Sequence, residues 1–377
     1  TIVGTLLSPR AGQAQGRILH ASEVTRLPLG CRIAAMGDAG VALPQHGFGA
    51  YHNPAIPSLL SGYEVWVEGA RLYGGLSDQG ALALLAPLQE ALYVTAVYAP
   101  FFSGEIFEHD TLPATYLERL SNEKLRADGT RRNGYFHNNQ HVLIASLARR
   151  FSLPVPRPPG MTVPLPVDLA GGLNVKYVWQ TITPGDKVRL GMNVNLDMGL
   201  LLRVGVDYDL RKNSIVRQVC IGVAVRNFVP TEMVWVNSPQ DYREPVDNSQ
   251  YYGLAYVDDV GLGPVTWRAS VALHRRLDGE VGELDDGGVR YKTFFENSYH
   301  YGAEVGLWDI VDLRAGLADH VPTLGAGIHY RTPLLTLHVD YAFRFDRISS
   351  SPLRLAVGAE FNPPSKAGAR TRTEMDE

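Results

Sequence analysis

Between Asp278 and Gly288 the chain places Asp278, Glu280, Glu283, Asp285 and Asp286, oxygen ligands of the kind calcium takes. The spacing is not that of an EF-hand loop, so the favoured reading is a solvated acidic loop. His137 and His141 flank Asn138-Asn139-Gln140. Their four-residue separation suits two metal ligands on one helical face, but the surrounding pattern is a loop running into a strand, so no metal is assigned. Cys31 and Cys220 are the two cysteines. They cannot build a disulfide framework or a four-cysteine zinc site, and two buried free thiols are favoured over a pair.

No nucleophile elbow, zinc-protease helix or phosphate loop is present, so no catalytic residue and no cofactor are assigned and the chain reads as a non-enzyme. Gly37-x-x-Gly40 lacks the full glycine pattern and the preceding strand of a dinucleotide fingerprint. Asn53-Pro54-Ala55 matches the aquaporin tripeptide, but one copy without a helical bundle makes no such channel. The net charge of -4 and pI near 6.3 argue against nucleic acid as a partner.

The elements that would hold any such residue are strands. Leu335, Leu337, Val339, Tyr341, Phe343 and Phe345 alternate with Thr336, His338, Asp340, Ala342 and Arg344, giving one apolar and one polar face. The same parity recurs through Val265–Leu273, Leu173–Trp179 and Leu353–Phe361. Followed along the chain it predicts about fourteen strands: 64–74, 79–86, 91–100, 139–150, 167–180, 193–204, 216–228, 251–257, 265–275, 297–307, 311–319, 323–331, 334–345 and 352–361. Many reach the 9 to 12 residues (roughly) that a tilted strand needs to cross a bilayer.

Loop parity points the same way. The long connections 101–138, 229–250 and 276–296 follow the third, seventh and ninth strands and so fall on one side, whereas Pro87–Ala91, Trp308–Ile310 and Thr332–Pro333 are tight turns on the other. The proline-rich 151–166, after the fourth strand, is the exception and reads as a stiff extended excursion. The fold class expected is therefore all-β: a closed, transmembrane antiparallel β-barrel. A soluble sandwich or propeller is the alternative, without a blade-length repeat to support it. Trp66, Tyr73, Tyr93, Tyr98, Trp179, Tyr341 and Phe361 are expected in interfacial girdles against outer-membrane lipid. Residues 1–16 read as the remnant of a secretory signal peptide, with Ala11, Gly12 and Ala14 suited to cleavage. Residues 17–63 are expected to tuck into the barrel as a plug or lid, 64–361 to form the barrel, and 362–377 to be a polar tail.

The plug region carries Arg32-Ile33-Ala34-Ala35-Met36-Gly37-Asp38-Ala39-Gly40-Val41-Ala42 and then Ala50-Tyr51-His52-Asn53-Pro54-Ala55. This resembles the N-terminal signature of the PorV/PorQ family of outer-membrane proteins, with further likeness at Gly172–Tyr177, Asn195–Gly199 and Asp340–Phe343. The family is similar to FadL-type fatty acid transporters. The resemblance implies a fourteen-stranded barrel in the outer membrane of a diderm bacterium, with Arg32, Met36, Gly37, Gly40, Asn53, Pro54 and Ala55 marking the inward-folded segment. It also implies a role in type IX protein secretion, with the translocon and secreted cargo as partners. Trp235, Tyr242, Tyr251 and Tyr252 are expected as exposed partner contacts or girdle residues.

A transporter of hydrophobic solutes is the alternative, and it requires an apolar pocket inside the barrel and a lateral opening. A structural subunit of a surface assembly is a third. The inward-facing set expected from parity, including Asn174, Lys176, Asp197, Arg226, Arg268, Glu304, Arg314 and Asp340, is charged and hydrogen-bonding, which weighs against a greasy conduit.

Overall fold

The computed structural model describes residues 23–109, 118, 132–153, 166–184, 188–209, 214–237, 242–246, 248–262, 264–285, 288–345 and 353–361. The signal-peptide remnant and the polar tail expected from the sequence lie outside them. Two short helices, α1 (Cys31–Ala35) and α2 (Gly49–His52), precede the strands. The strands are β1 (Tyr63–Leu72), β2 (Ser77–Gln89), β3 (Leu92–Ser103), β4 (Ile106–His109), β5 (Arg132–Leu153), β6 (Val167–Pro184), β7 (Arg189–Asp209), β8 (Ser214–Arg226) and β9 (Glu232–Val236). They continue with β10 (Arg243–Pro245), β11 (Ser249–Leu262), β12 (Val265–Asp285), β13 (Gly288–Leu307), β14 (Val311–Ala318), β15 (Val321–Arg331), β16 (Leu335–Arg344) and β17 (Leu353–Phe361).

Each long strand pairs antiparallel with the next. β17 returns to β1 in register from Tyr63↔Phe361 to Arg71↔Leu353, so the sheet has no open edge. Setting aside the short β4, β9 and β10, the ring has fourteen strands. All fourteen coincide with those expected from alternation. Burial along β1 alternates strictly, with Val65 and Val67 exposed and Glu64, Trp66 and Glu68 buried. Apolar residues face outward on most strands, Leu337, Val339 and Tyr341 on β16 among them, as a wall surrounded by lipid requires. Among the described residues no helix is long and apolar enough to cross a membrane.

The structure corrects several local expectations. Residues 276–296 are not a loop: β12 and β13 run on to Asp285 and Gly288 as one long hairpin. The acidic side chains there lie outside the described ones. Within 229–250, β9 and β10 pair with each other, and β9 also continues the wall along β7. His137 lies inside β5, not at a loop junction. Trp66 is only 5% exposed and faces the lumen, and Tyr93 is also buried, so neither belongs to a girdle. Tyr98, His141 and Trp179 do stack on one another across β3, β5 and β6, in half-buried positions.

The mouth carrying Tyr63 and Phe361 is here called the near mouth, and the opposite one the far mouth. The connections β3–β5 and β8–β11 open on the far mouth. The tight turns at Ala91 and Trp308–Asp309 close the near mouth, and all three residues take positive φ.

Candidate functional site

Residues 23–62 lie inside the ring, and glycines in the wall are what admit them. A Cβ on Gly172 of β6 would stand 2.1 Å from the Pro54 carbonyl oxygen. One on Gly316 of β14 would stand 2.2 Å from the Gly37 nitrogen. Gly199, Gly222, Gly253 and Gly302 meet Asn53, Val41 and Met36 as closely. Register pairs Gly172 with Gly199, Gly222 with Gly253, and Gly302 with Gly316, so these positions form a track across the strands. Met36–Gly37, Val41–Ala42 and Asn53–Pro54 lie in that track, much closer than a side-chain-bearing wall permits.

Polar side chains of the wall bind the carbonyls of the segment. Thr323 Oγ1 donates to Ala35 O at 2.8 Å, His300 Nδ1 to Gly37 O at 2.7 Å, and Asn174 Nδ2 to Ala50 O at 3.0 Å. In return Asn53 Nδ2 donates to Val41 O within the segment at 2.9 Å and to Leu200 O in β7 at 3.1 Å. Its Oδ1 accepts from the Ala55 N–H at 3.0 Å, an Asx turn that fixes the Asn-Pro corner. The helices are too short to hold themselves, so packing against the wall orders the segment.

The signature residues from the sequence are thus brought together. Gly37 (φ 67°) sits against the backbone of β13 and β14, where a Cβ would come within 2.5 Å of Tyr301 O. Gly40 sits against Ile33 and His52. Arg32 places Nε 2.7 Å and Nη2 2.9 Å from the two oxygens of Glu304. That carboxylate is buried and also accepts from Arg314 Nε at 2.6 Å and from Arg268. Arg314 extends the network to Asp312 at 2.9 Å and to Asp340, while Arg354 pairs with Glu68 at 2.8 Å. This charged sector spans β12 to β17 and β1.

The opposite sector is apolar. Ala81, Ala83, Val97, Ala99, Val142, Ile144 and Val178, from β2, β3, β5 and β6, pack on Val24, Leu29, Phe48 and Tyr51 of the segment and on Met233 and Trp235 of β9. Parity alone missed this sector, because small Ala on the inner face alternates with Leu and Val on the outer, leaving no polar face to contrast. The charged inward set is therefore only part of the lining.

Of the four aromatic contacts expected on the surface, Tyr242 (56%) and Tyr252 (39%) are exposed. Trp235 is 8% exposed, inside the lumen, with Nε1 donating to Glu244 at 3.0 Å. Tyr251 also turns inward, 4.4 Å from the Arg226 guanidinium. Both thiols are buried and unpaired, and burial pushes the Cys31 thiol up.

Two histidines of the segment are tuned in opposite directions. Burial disfavours charge on His46, but the Glu64 carboxylate, 2.7 Å from Nδ1, outweighs it and raises its pKa. His52 is lowered to about 3 by burial and by the Arg226 charge, and its Nε2 donates to Leu29 O at 2.7 Å.

Three cavities border the segment. At the near mouth one of about 230 Å³ is lined by His46, Trp66, His329, His338 and the charged network. At the far mouth one of about 210 Å³ is lined by Leu27, Pro28, Leu72, Ala342 and Phe343 together with Arg26, Asp38, Arg344 and Arg354. The third, about 240 Å³, also at the far mouth, is lined by Tyr51, His52, Arg226, Tyr251, His274 and His300. Among the described residues no group of three or more metal-ligating side chains could hold an ion.

The closed fourteen-stranded antiparallel barrel is a fold shared with solved outer-membrane barrels. The chain is similar to a deletion mutant of the monoaromatic hydrocarbon channel TodX, with a TM-score of 0.52 at 12% identity over 89% of this chain and 99% of that one. A second TodX deletion mutant gives a TM-score of 0.48 at 12% identity, covering 89% and 99% of the two chains. A Pseudomonas aeruginosa FadL homologue gives 0.46 at 10% identity over 89% and 99%. At such identities the likeness is one of fold. No family model and no curated protein matches the chain.

Proposed function

We propose that this protein is a non-enzymatic channel of the bacterial outer membrane, passing small hydrophobic solutes around a lumen plugged by residues 23–62. In that setting the near mouth is periplasmic and the far mouth extracellular, since the longest connections, β3–β5 and β8–β11, open at the far mouth.

One observation carries the reading. The β2–β3 ladder runs from Ser77↔Ser103 to Gln79↔Phe101, then resumes at Leu82↔Tyr98. The skipped positions are Gly80 and Ala81 facing Ala99 and Pro100, and proline has no N–H to donate. Ala81 and Ala99 belong to the apolar sector of the lumen. The weak place in the wall therefore opens from an apolar lining toward lipid, a path suited to an uncharged hydrophobic molecule. The similarity to a monoaromatic hydrocarbon channel supports the same class of solute.

The test is uptake of a radiolabelled monoaromatic hydrocarbon by cells whose outer membrane carries the protein. Uptake above cells lacking it, reduced by Ala99→Trp, supports the reading, and uptake equal to theirs overturns it. A second reading, cargo handling in type IX secretion, rests on the PorV/PorQ-like signature, whose Arg32, Gly37 and Asn53 pin the plug. Co-purification with a very large translocon barrel, or with cargo bearing a C-terminal signal domain, would favour it.

A further inference from the structure

Arg226 is 8% exposed, and no carboxylate pairs with it among the described residues. Its Nη1 donates to Thr25 O at 3.2 Å and its Nη2 to Tyr51 O at 2.7 Å, both neutral carbonyls. The rings of Tyr51 and Tyr251 each lie 4.4 Å from its guanidinium carbon, leaving Nε without a hydrogen-bond partner. A buried cation whose bonded partners are all neutral is costly, and cation–π contacts offset only part of that cost. The Asp197 carboxylate, which acts on it from a distance, is bonded to Lys176 at 2.8 Å. His274 stands beside the same Tyr251 ring at 4.5 Å and stacks on His300 at 3.8 Å. Both nitrogens of His300 are occupied, by Gly37 O and Ser298 Oγ, whereas His274 makes no hydrogen bond among the described residues. Arg226, with its unmet Nε, and His274 both line the third cavity.

We infer that the far mouth binds a compact aromatic carboxylate, its anionic group taken by Arg226 and His274. The acids near this cavity do not supply that anion. Asp38 faces Arg344 at 3.8 Å, Asp319 lies beside His320, and Glu296 is already engaged. The surrounding rings of Tyr51, Tyr251, His274 and His300 give a planar ligand faces to stack on. The neighbouring cavity shares Leu27 and Pro28 with this one and adds Leu72, Ala342 and Phe343, so the uncharged part of the ligand has apolar side chains to meet. Its size, below the usual range of drug-sized pockets, selects a small molecule. This inference goes beyond the solute-channel reading, whose path suits an uncharged molecule, and binding is measured apart from passage.

The experiment is calorimetric titration of the full-length barrel in detergent with benzoate, using acetate, inorganic phosphate and octanoate as comparisons. Saturable benzoate binding, weakened about tenfold or more by Arg226→Gln and also weakened by His274→Leu, supports the site. Because Arg226 also holds the segment, His274→Leu, which breaks no hydrogen bond, guards against a merely structural effect. Absence of saturable binding, binding unchanged in His274→Leu, or equal or tighter binding of phosphate or octanoate overturns it. Benzoate binding without hydrocarbon uptake would sink the channel reading and leave the site standing.

Discussion

The two sides of the lumen hold the same N-terminal segment by different physics. On the side of β12–β17 the contacts are charged and directional: Arg32, Arg268 and Arg314 converge on Glu304. On the side of β2, β3 and β5 they are apolar and non-directional: Phe48 and Leu29 share one cluster with Ala83, Val97 and Ile144. A charged network inside a protein resists rearrangement, because moving one member strands the others without partners. An apolar contact can slide or admit another apolar molecule at little cost. The charged side is therefore the anchor, and the apolar side is the one that can yield to a solute.

Four measurements bear on that contrast, beginning with the largest effect. Glu304→Gln leaves three arginines facing a neutral amide and should cost about 3–5 kcal/mol, read as a lower temperature of heat-modified gel migration. A loss no greater than that of Val97→Ala would erase the distinction between anchor and yielding side. Gly316→Ala drives a methyl group into the Gly37 backbone and should cost about 1–3 kcal/mol. It should also raise ion conductance in planar bilayers as the segment is displaced, and unchanged conductance would mean that the segment does not seal the lumen.

The third measurement is a pH series. The His52 value of about 3 lies below its ordinary 6.5, so its contribution is whole above pH 6.5 and lost as the pH falls toward 3, amounting to about 2 kcal/mol by pH 5. His46 has the opposite sign: its contribution is present below the ordinary histidine value and lost as the pH rises through its raised one. His52→Asn should remove the acid limb of the stability curve and His46→Gln the alkaline limb. A single shared limb would contradict the separate tuning of the two residues. The smallest effect is expected at Pro100→Ser, which restores an N–H to β3. It should gain about 0.5–1.5 kcal/mol while lowering hydrocarbon uptake, and undiminished uptake would move the exit elsewhere.

Much of the fold was legible because lipid imposes a simple rule on a strand. Leu335–Phe345 must alternate to show apolar groups outside and polar groups inside, and that period survives in the letters. The ends of strands carry no such rule. Beyond Leu277 and before Phe295 the hairpin leaves the apolar belt, its alternation lapses, and it read as a loop. The site was half legible. Arg32, Gly37 and Asn53 stood out as a signature, but their partner Glu304 lies 272 positions from Arg32 and nothing local links them. The track of wall glycines had a faint signal, one glycine near the middle of strand after strand from Gly172 to Gly325. Glycine has no side chain to enter a hydropathy pattern, so it left that reading untouched. Trp66 was misplaced because an indole suits an interface as well as a lumen, and only Glu64, accepting its N–H at 3.1 Å, decides between them.

The glycine track has a mechanical consequence. The segment crosses the strands it touches and is bonded to β6, β7, β13 and β15 along the way, so it braces that arc of the ring like a rib inside a hull. A cylinder ribbed over one arc cannot flatten evenly. Deformation meets less resistance in the arc of β2, β3 and the interrupted pairing at Pro100, which the segment touches through apolar side chains and not through those hydrogen bonds. The rigidity of one arc is thus what gives the other its compliance.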